Sequence, residues 1–216
     1  MSVARAAASM LPVVGAPAGE LLTWLVSRTL DRRRDDWLSS LEERIRELGT
    51  QGIDVEALRD DPVFQTTILE ASRAALMTHE QEKLEALRNS VVNAAMPDAP
   101  DATIQAIFLN AVRELTPWHI RILKWLQNPL AWCEHKGVQL PSKSSSMSLG
   151  AFLEMSMPEL KERPGFYKII VTEFFRREFM TTQSLDTSMG PPPSGLYAKR
   201  LTPLGDDFVR FIEAPS

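Results

Sequence analysis

Along the first half of the chain, apolar residues return every three or four positions, the period of a helix with one buried face. Between Glu20 and Leu48, the positions Leu22, Val26, Leu30, Trp37, Leu41, Ile45 and Leu48 form one such seam, and Gly49 and Gly52 mark its end. Asp61-Pro62 sets an N-cap before a proline at the first helical position, where the missing N–H has no partner to lose. Phe64, Ile68, Ala71 and Ala75 make the stripe that follows. Thr78 with Gln81 has the spacing of a capping box, and the helix behind it turns Leu84, Leu87, Val91 and Ala94 inward. Pro97-Asp98-Ala99-Pro100 is a turn, and Ile104, Phe108, Ala111 and Leu115 line a fourth stripe. Four single-faced helices with short connections predict an antiparallel, up-and-down bundle over residues 1–115.

The pattern changes after Leu115. Thr116-Pro117 opens a helix reaching about Asn128, with Trp118, Ile122 and Trp125 on one side. A polar loop runs from Ser142 to Ser148. A short helical stretch, Leu149 to Leu160, contains Pro158, and a stronger helix from Pro164 to Phe179 buries Phe166, Ile170 and Phe174. Met180 to Leu185 and Leu196 to Leu201 predict two strands around the tip Met189-Gly190-Pro191-Pro192-Pro193-Ser194-Gly195. Thr202-Pro203 then caps a last helix with Leu204, Phe208 and Phe211 inward. The fold class expected is mainly α: a helical bundle, then a domain over residues 116–216 with the element order of a winged helix and a small β-hairpin.

Thr202, Gly205 and Phe208 stand at T-x-x-G-x-x-F spacing within Tyr197-Ala198-Lys199-Arg200-Leu201-Thr202-Pro203-Leu204-Gly205-Asp206-Asp207-Phe208. This segment resembles the passage from wing to final helix in bacterial winged-helix regulators of the MarR and PadR type. The resemblance covers about residues 116–216 and specifies fold more than function. Carried on a helical bundle, the chain is also similar to bacterial proteins some of which are associated with phage defence. In winged helices the third helix enters the DNA major groove and the wing touches the backbone or minor groove. By that resemblance, the candidate nucleic-acid contacts are Lys168, Thr172 and Arg176 at i, i+4 and i+8, with Arg177 adjacent and Lys199 and Arg200 on the wing.

Charge weakens the DNA reading. The chain carries a net −4, and the two halves differ: residues 1–115 hold 12 basic and 18 acidic residues, residues 116–216 hold 12 and 10. The first half repels nucleic acid and the second is close to neutral. Glu173 and Glu178 interleave with the basic residues, and the helix has no Asn or Gln for adenine readout. In the first helix, Arg32, Arg33 and Arg34 lie between Asp31 and Asp35-Asp36, so pairs such as Arg32–Asp36 make a self-neutralised solvated face.

The remaining composition sets bounds. With 44% hydrophobic residues, 5 Trp and 9 Phe, the chain has ample material for a core. One cysteine, Cys133, forbids an internal disulfide and fits a reducing, cytoplasmic compartment. Only one residue between Ala6 and Val26, Glu20, is charged, but Pro12, Gly15, Pro17 and Gly19 interrupt the stretch. It is expected to pack on the bundle. The alternative is an amphipathic membrane contact through Leu11, Leu21, Leu22, Trp24 and Leu25, with a span or signal peptide the weakest reading.

Catalytic patterns are missing. His79-Glu80-Gln81-Glu82-Lys83 begins like a zinc-protease helix but puts Lys83 where the second imidazole belongs. Cys133 and His135 are two apart, which does not let them face each other on a helix. His119, beside Trp118 in a first helical turn, reads as structural. There is no G-x-S-x-G, P-loop or G-x-G-x-x-G. Neither catalytic residues nor a metal or cofactor is expected. The reading is a non-enzymatic bacterial interaction protein that self-associates through the bundle and docks a protein partner through the winged helix, as an accessory of a defence or stress system. The alternatives are a DNA-binding regulator and a membrane-active effector acting through residues 6–26.

Overall fold

A computed structural model describes residues 18–142, 146–189 and 193–215, the side chains of residues 18–26, 193 and 194 excepted. The chain is mainly helical, with one small antiparallel sheet among the described residues. It divides into two units that meet between Gly52 and Ile53. The boundary expected at residue 115 falls inside the second unit, where helices from both sides of it pack together.

The described part of the first unit is helix α1 (Ala18–Thr50). Trp37, Leu41 and Leu48 of its predicted seam are buried, Ile45 is half-buried and Leu30 lies at the surface. Leu11, and the side chains of Leu21, Leu22, Trp24, Leu25 and Val26, lie outside the described residues, and with them the membrane-contact expectation. The solvated face neutralises itself: Arg32 lies 3.9 Å from Asp36, and Arg46 donates to Glu42 at 2.6 Å. Exposed pairs of this kind contribute at most about 1 kcal/mol each. No helix among the described residues is long and apolar enough to cross a membrane.

The second unit opens with a short helix, α2 (Val55–Arg59), capped by Asp54. Helix α3 (Pro62–Leu76) begins at the predicted cap, with Asp61 accepting from the amides of Val63 and Phe64. Helix α4 (Gln81–Ala94) starts later than the Thr78 cap predicts: the Thr78 hydroxyl accepts from the Glu80 amide two residues on, a local turn that delays the helix. Helix α5 (Ala102–Glu114) is capped by Asp101. Two helices follow, α6 (Pro117–Gln127) and α7 (Pro129–Lys136), the latter capped by Asn128. Strand β1 (Met147–Ser148) leads into α8 (Leu149–Ser156), a 3-10 turn at Pro158–Glu162 and α9 (Phe166–Arg176). Strand β2 (Ser188–Met189), a second 3-10 turn at Pro193–Tyr197 and α10 (Pro203–Ile212) complete the order.

The strands differ from expectation. Met180–Leu185 and Leu196–Leu201 do not form a ladder; their antiparallel contact is one bridge, Met180 to Leu201. The sheet instead pairs β1 with β2, Met147 opposite Met189 and Ser148 opposite Ser188. Hydroxyls compete with the ladder here: Thr182 donates to the Ser184 carbonyl and Ser184 Oγ accepts from the Asp186 amide. Tip residues 190–192 lie outside the described residues.

Helix α4 is central to the second unit, packing against α3, α5, α6 and α10. It therefore buries more than one stripe: Ala86, Leu87, Asn89, Ser90, Val91 and Val92. Its two asparagines hold the C-terminal end of α10, whose last carbonyls lack helical partners. Asn89 Nδ2 donates to Ile212 O at 3.1 Å, and Asn93 Nδ2 lies within 3.0 Å of the carbonyls of Arg210, Phe211 and Glu213.

The other end of α10 explains the T-x-x-G-x-x-F spacing. Helix α9 ends in a Schellman turn: Glu178 N donates to Phe175 O, and Phe179 N to Phe174 O. Glu178 sits in the left-handed region at φ 60°, where glycine is the usual occupant. Thr202 then joins this turn to α10, its hydroxyl donating to Glu178 O at 2.5 Å and accepting from Gly205 N at 3.0 Å. A Cβ at Gly205 would sit 2.9 Å from the Phe179 carbonyl carbon and closer still to its oxygen. Phe208 stacks on Phe179 at 4.6 Å, and Phe108 of α5 contacts Phe179, Phe208 and Phe211. These buried rings are the aromatic centre of the core.

Gly205→Ala pushes α10 off this turn and is expected to lower unfolding free energy by about 2–3 kcal/mol. Glu178→Gly relieves a left-handed side chain and is expected to raise it by up to about 1 kcal/mol. Urea titration of both variants measures the pair, and a neutral Gly205→Ala contradicts the close approach.

Candidate interaction face and the polar relay beneath it

Helix α9 is amphipathic. Tyr167, Ile170, Val171 and Phe174 are buried, while Lys168, Ile169, Thr172, Phe175 and Arg176 face outward. Ile169 is 68% exposed and Phe175 36%, placing two large apolar side chains among the residues expected to meet phosphate. Lys168, Ile169, Thr172, Glu173, Arg176 and Arg177 line one open depression. Four of the six sequence-predicted residues therefore share this face.

Their charges are mostly engaged. Lys168 Nζ lies 2.8 Å from Asp186 Oδ2, and this ion pair moves the lysine upward and the aspartate downward from their ordinary pKa values. The Thr172 hydroxyl donates to Lys168 O. Arg177 donates to Glu114 at 2.5 Å and to Glu173 at 2.9 Å. Lys199 and Arg200 lie on the segment before α10: Lys199 pairs with Asp206 at 2.5 Å, and Arg200 donates to Gly195 O at 2.5 Å. Of the five cations, Arg176 alone has no acidic or carbonyl partner among the described residues.

Beneath this face lies a half-buried relay that the sequence reading missed. His119 occupies the third position of α6, where a capping box ordinarily has Glu or Gln. Its Nδ1 accepts from the Thr116 amide at 3.2 Å and lies 2.8 Å from the Thr116 hydroxyl. Because Nδ1 accepts, the ring proton belongs on Nε2, which donates to Glu173 Oε2 at 3.1 Å. The Phe174 ring meets the imidazole edge-on at 5.7 Å. One chain of contacts thus joins the end of α5 (Glu114), the start of α6 (Thr116, His119) and α9 (Glu173, Arg177).

Burial lowers the His119 pKa, outweighing the upward pull of Glu173, and Arg177 and Lys83 add to the lowering. Burial by itself raises the Glu173 carboxyl, but hydrogen bonds and charge from Arg177 and His119 hold it below its ordinary value. Lys83 of α4, lowered by burial, donates to the Arg113 carbonyl at 2.6 Å and so holds the C-terminal end of α5.

A second groove of about 530 Å³ lies between α4, α6 and α7. Arg121 clasps Glu82 there with both carboxylate oxygens within 3 Å of its Nε, Lys124 pairs with Glu213, and Lys136 lies over the Trp132 ring. Cys133 is buried, 3.4 Å from Ser156 Oγ, with burial pushing its thiol upward, the opposite of an activated nucleophile. No group of three or more His, Cys, Asp or Glu among the described residues could hold a metal ion. Comparison with family models, curated proteins and solved structures found no match to the chain.

Both shifted acid–base groups predict acid lability. The fold favours neutral His119, so the unfolded chain takes up its proton first and stability falls once the pH drops below 6.5. The fold also favours ionised Glu173, whose contribution is complete above 4.5 and is lost as pH falls through its lower folded value. Urea unfolding at pH 7.5, 6, 5 and 4 should give a monotonic loss of stability. A rise between pH 6.5 and 5 contradicts the His119 assignment.

Proposed function

We propose that this chain is a non-enzymatic interaction protein whose C-terminal half, a winged-helix-like module, uses the outer face of α9 to dock a protein partner. The order α6, α7, β1, α8, α9, β2 and α10, with the Met180–Leu201 bridge, supports that description in its helices and its small amount of strand. The observation that carries the docking reading is the state of the basic residues. Lys168, Arg177, Lys199 and Arg200 have partners within the chain, so a phosphate would have to displace them, whereas Ile169 and Phe175 stand exposed on the same face. DNA readers rely on available cations, which set both affinity and salt dependence. Protein docking faces combine central aromatic or aliphatic anchors with a polar rim. Here Ile169 and Phe175 are the anchors and Arg176 the rim charge, a surface suited to an acidic, amphipathic partner.

The test uses the full chain carrying a photo-cross-linking residue at Thr172 in its source cells. A discrete cross-linked protein species is expected, abolished by Ile169→Glu and reduced severalfold by Arg176→Glu. In parallel, duplex DNA at about 50 mM salt should not retain the protein. Retention that Arg176→Ala weakens, with no protein cross-link, overturns the reading in favour of DNA binding.

A further inference from the structure

Two unpaired charges of opposite sign each stand beside apolar side chains on the second unit. On α9 the charge is Arg176, and Ile169, 68% exposed, lines the same depression. The other is Asp98, in the turn between α4 and α5, which is exposed and has no hydrogen-bond or ion partner among the described residues. Asp98 rims a groove of about 310 Å³ between that turn and α10. We propose that this groove receives the outer face of α9 from a second copy of the chain. The proposal rests on the α9 docking reading and names its partner.

The apolar part of the groove is formed by the half-buried Met96, Pro100, Ile104 and Leu204. Its rim is acidic. Asp101 and Asp207 join Asp98 there against one cation, Arg210, and Arg210 is already taken up by Asp207. Asp101 accepts from the amides of Thr103 and Ile104 and meets no cation among the described residues. Such a groove suits an apolar side chain followed by a cation two helical turns on. Ile169, Thr172 and Arg176 lie at i, i+3 and i+7, one stripe along α9 and the spacing by which a helix lies in a groove. Ile169 then leaves water for the apolar floor while Arg176 meets Asp98, and neither charge gives up an internal partner. Lys168, by contrast, would first have to leave Asp186. No residue lines both sites, so a copy whose α9 is docked still has its own groove open. Head-to-tail contacts of this kind close into a ring or lengthen with concentration, and a patch this small holds weakly.

Sedimentation velocity of the purified full-length chain, from about 5 to 500 µM, reads association at the concentrations a small interface needs. The wild type should pass reversibly from monomer to larger species. Ile169→Glu and Asp98→Arg should each weaken this about tenfold, the first by charging the apolar anchor and the second by setting two cations face to face. Both positions are exposed, and circular dichroism checks that each variant is folded; Ile169→Gln replaces Ile169→Glu if it is not. An equimolar mixture of the two variants decides the pairing. Each keeps the half that the other has lost, so a dimer should return that grows no further at higher concentration. A monomeric wild type, association that either variant leaves untouched, or a mixture that stays monomeric overturns the proposal. The cross-link at Thr172 judges the docking reading separately. A cross-linked protein other than this chain, with a monomeric wild type, removes the second copy and leaves that reading standing. No protein cross-link in cells fails that reading, and the mixture still decides the pairing.

Discussion

The second unit depends on how closely one helix can approach a carbonyl group. Helix α10 starts against the turn that ends α9, and only a residue without a side chain lets its backbone reach the Phe179 carbonyl. That approach sets the depth at which Phe208 meets Phe179, and so where Phe108 and Phe211 can sit. At the far end the asparagines of α4 take up carbonyls that would otherwise be buried without donors. A helix held at both ends leaves little freedom for the segment between α9 and α10, and this compensates for the unfavourable conformation of Glu178.

Charge follows the same economy. Four of the five basic residues suggestive of nucleic-acid binding have an acidic or carbonyl partner nearby, so these four are not free charges on the surface. Exposed pairs such as Lys168–Asp186 add little stability, but they remove charge from the helix face and leave its apolar side chains prominent. The half-buried relay around His119 and Glu173 is different in kind. There the partners are partly withdrawn from water, and each depends on the protonation of the next.

What was legible in the sequence was the chemistry that acts within a few residues. Asp61-Pro62, Thr116-Pro117 and Thr202-Pro203 each begin a helix where expected because cap, proline and first turn are contiguous. The spacing of Lys168, Thr172 and Arg176 correctly placed them on one face of α9. Thr78 misled because its hydroxyl satisfies a nearer amide, and the hairpin failed because hydroxyls between residues 181 and 187 bond locally. Long-range partners left no local trace. His119 meets Glu173 54 residues away, and nothing around Lys168 announces Asp186 as its partner. The role of Asn89 and Asn93 was equally hidden, since an asparagine inside a helix has no periodic signature.

The asparagine contacts to α10 also have a consequence in time. Asn93 is separated from Glu213 by 120 residues. At about 5–20 residues per second of synthesis, the α4 side chains that will face α10 wait roughly 6–24 s for it to emerge. During that interval Asn89, Asn93 and their apolar neighbours lack their final cover. The nascent chain therefore offers an adhesive surface that the finished protein hides, and this is the stage at which a ribosome-associated chaperone would have most to protect.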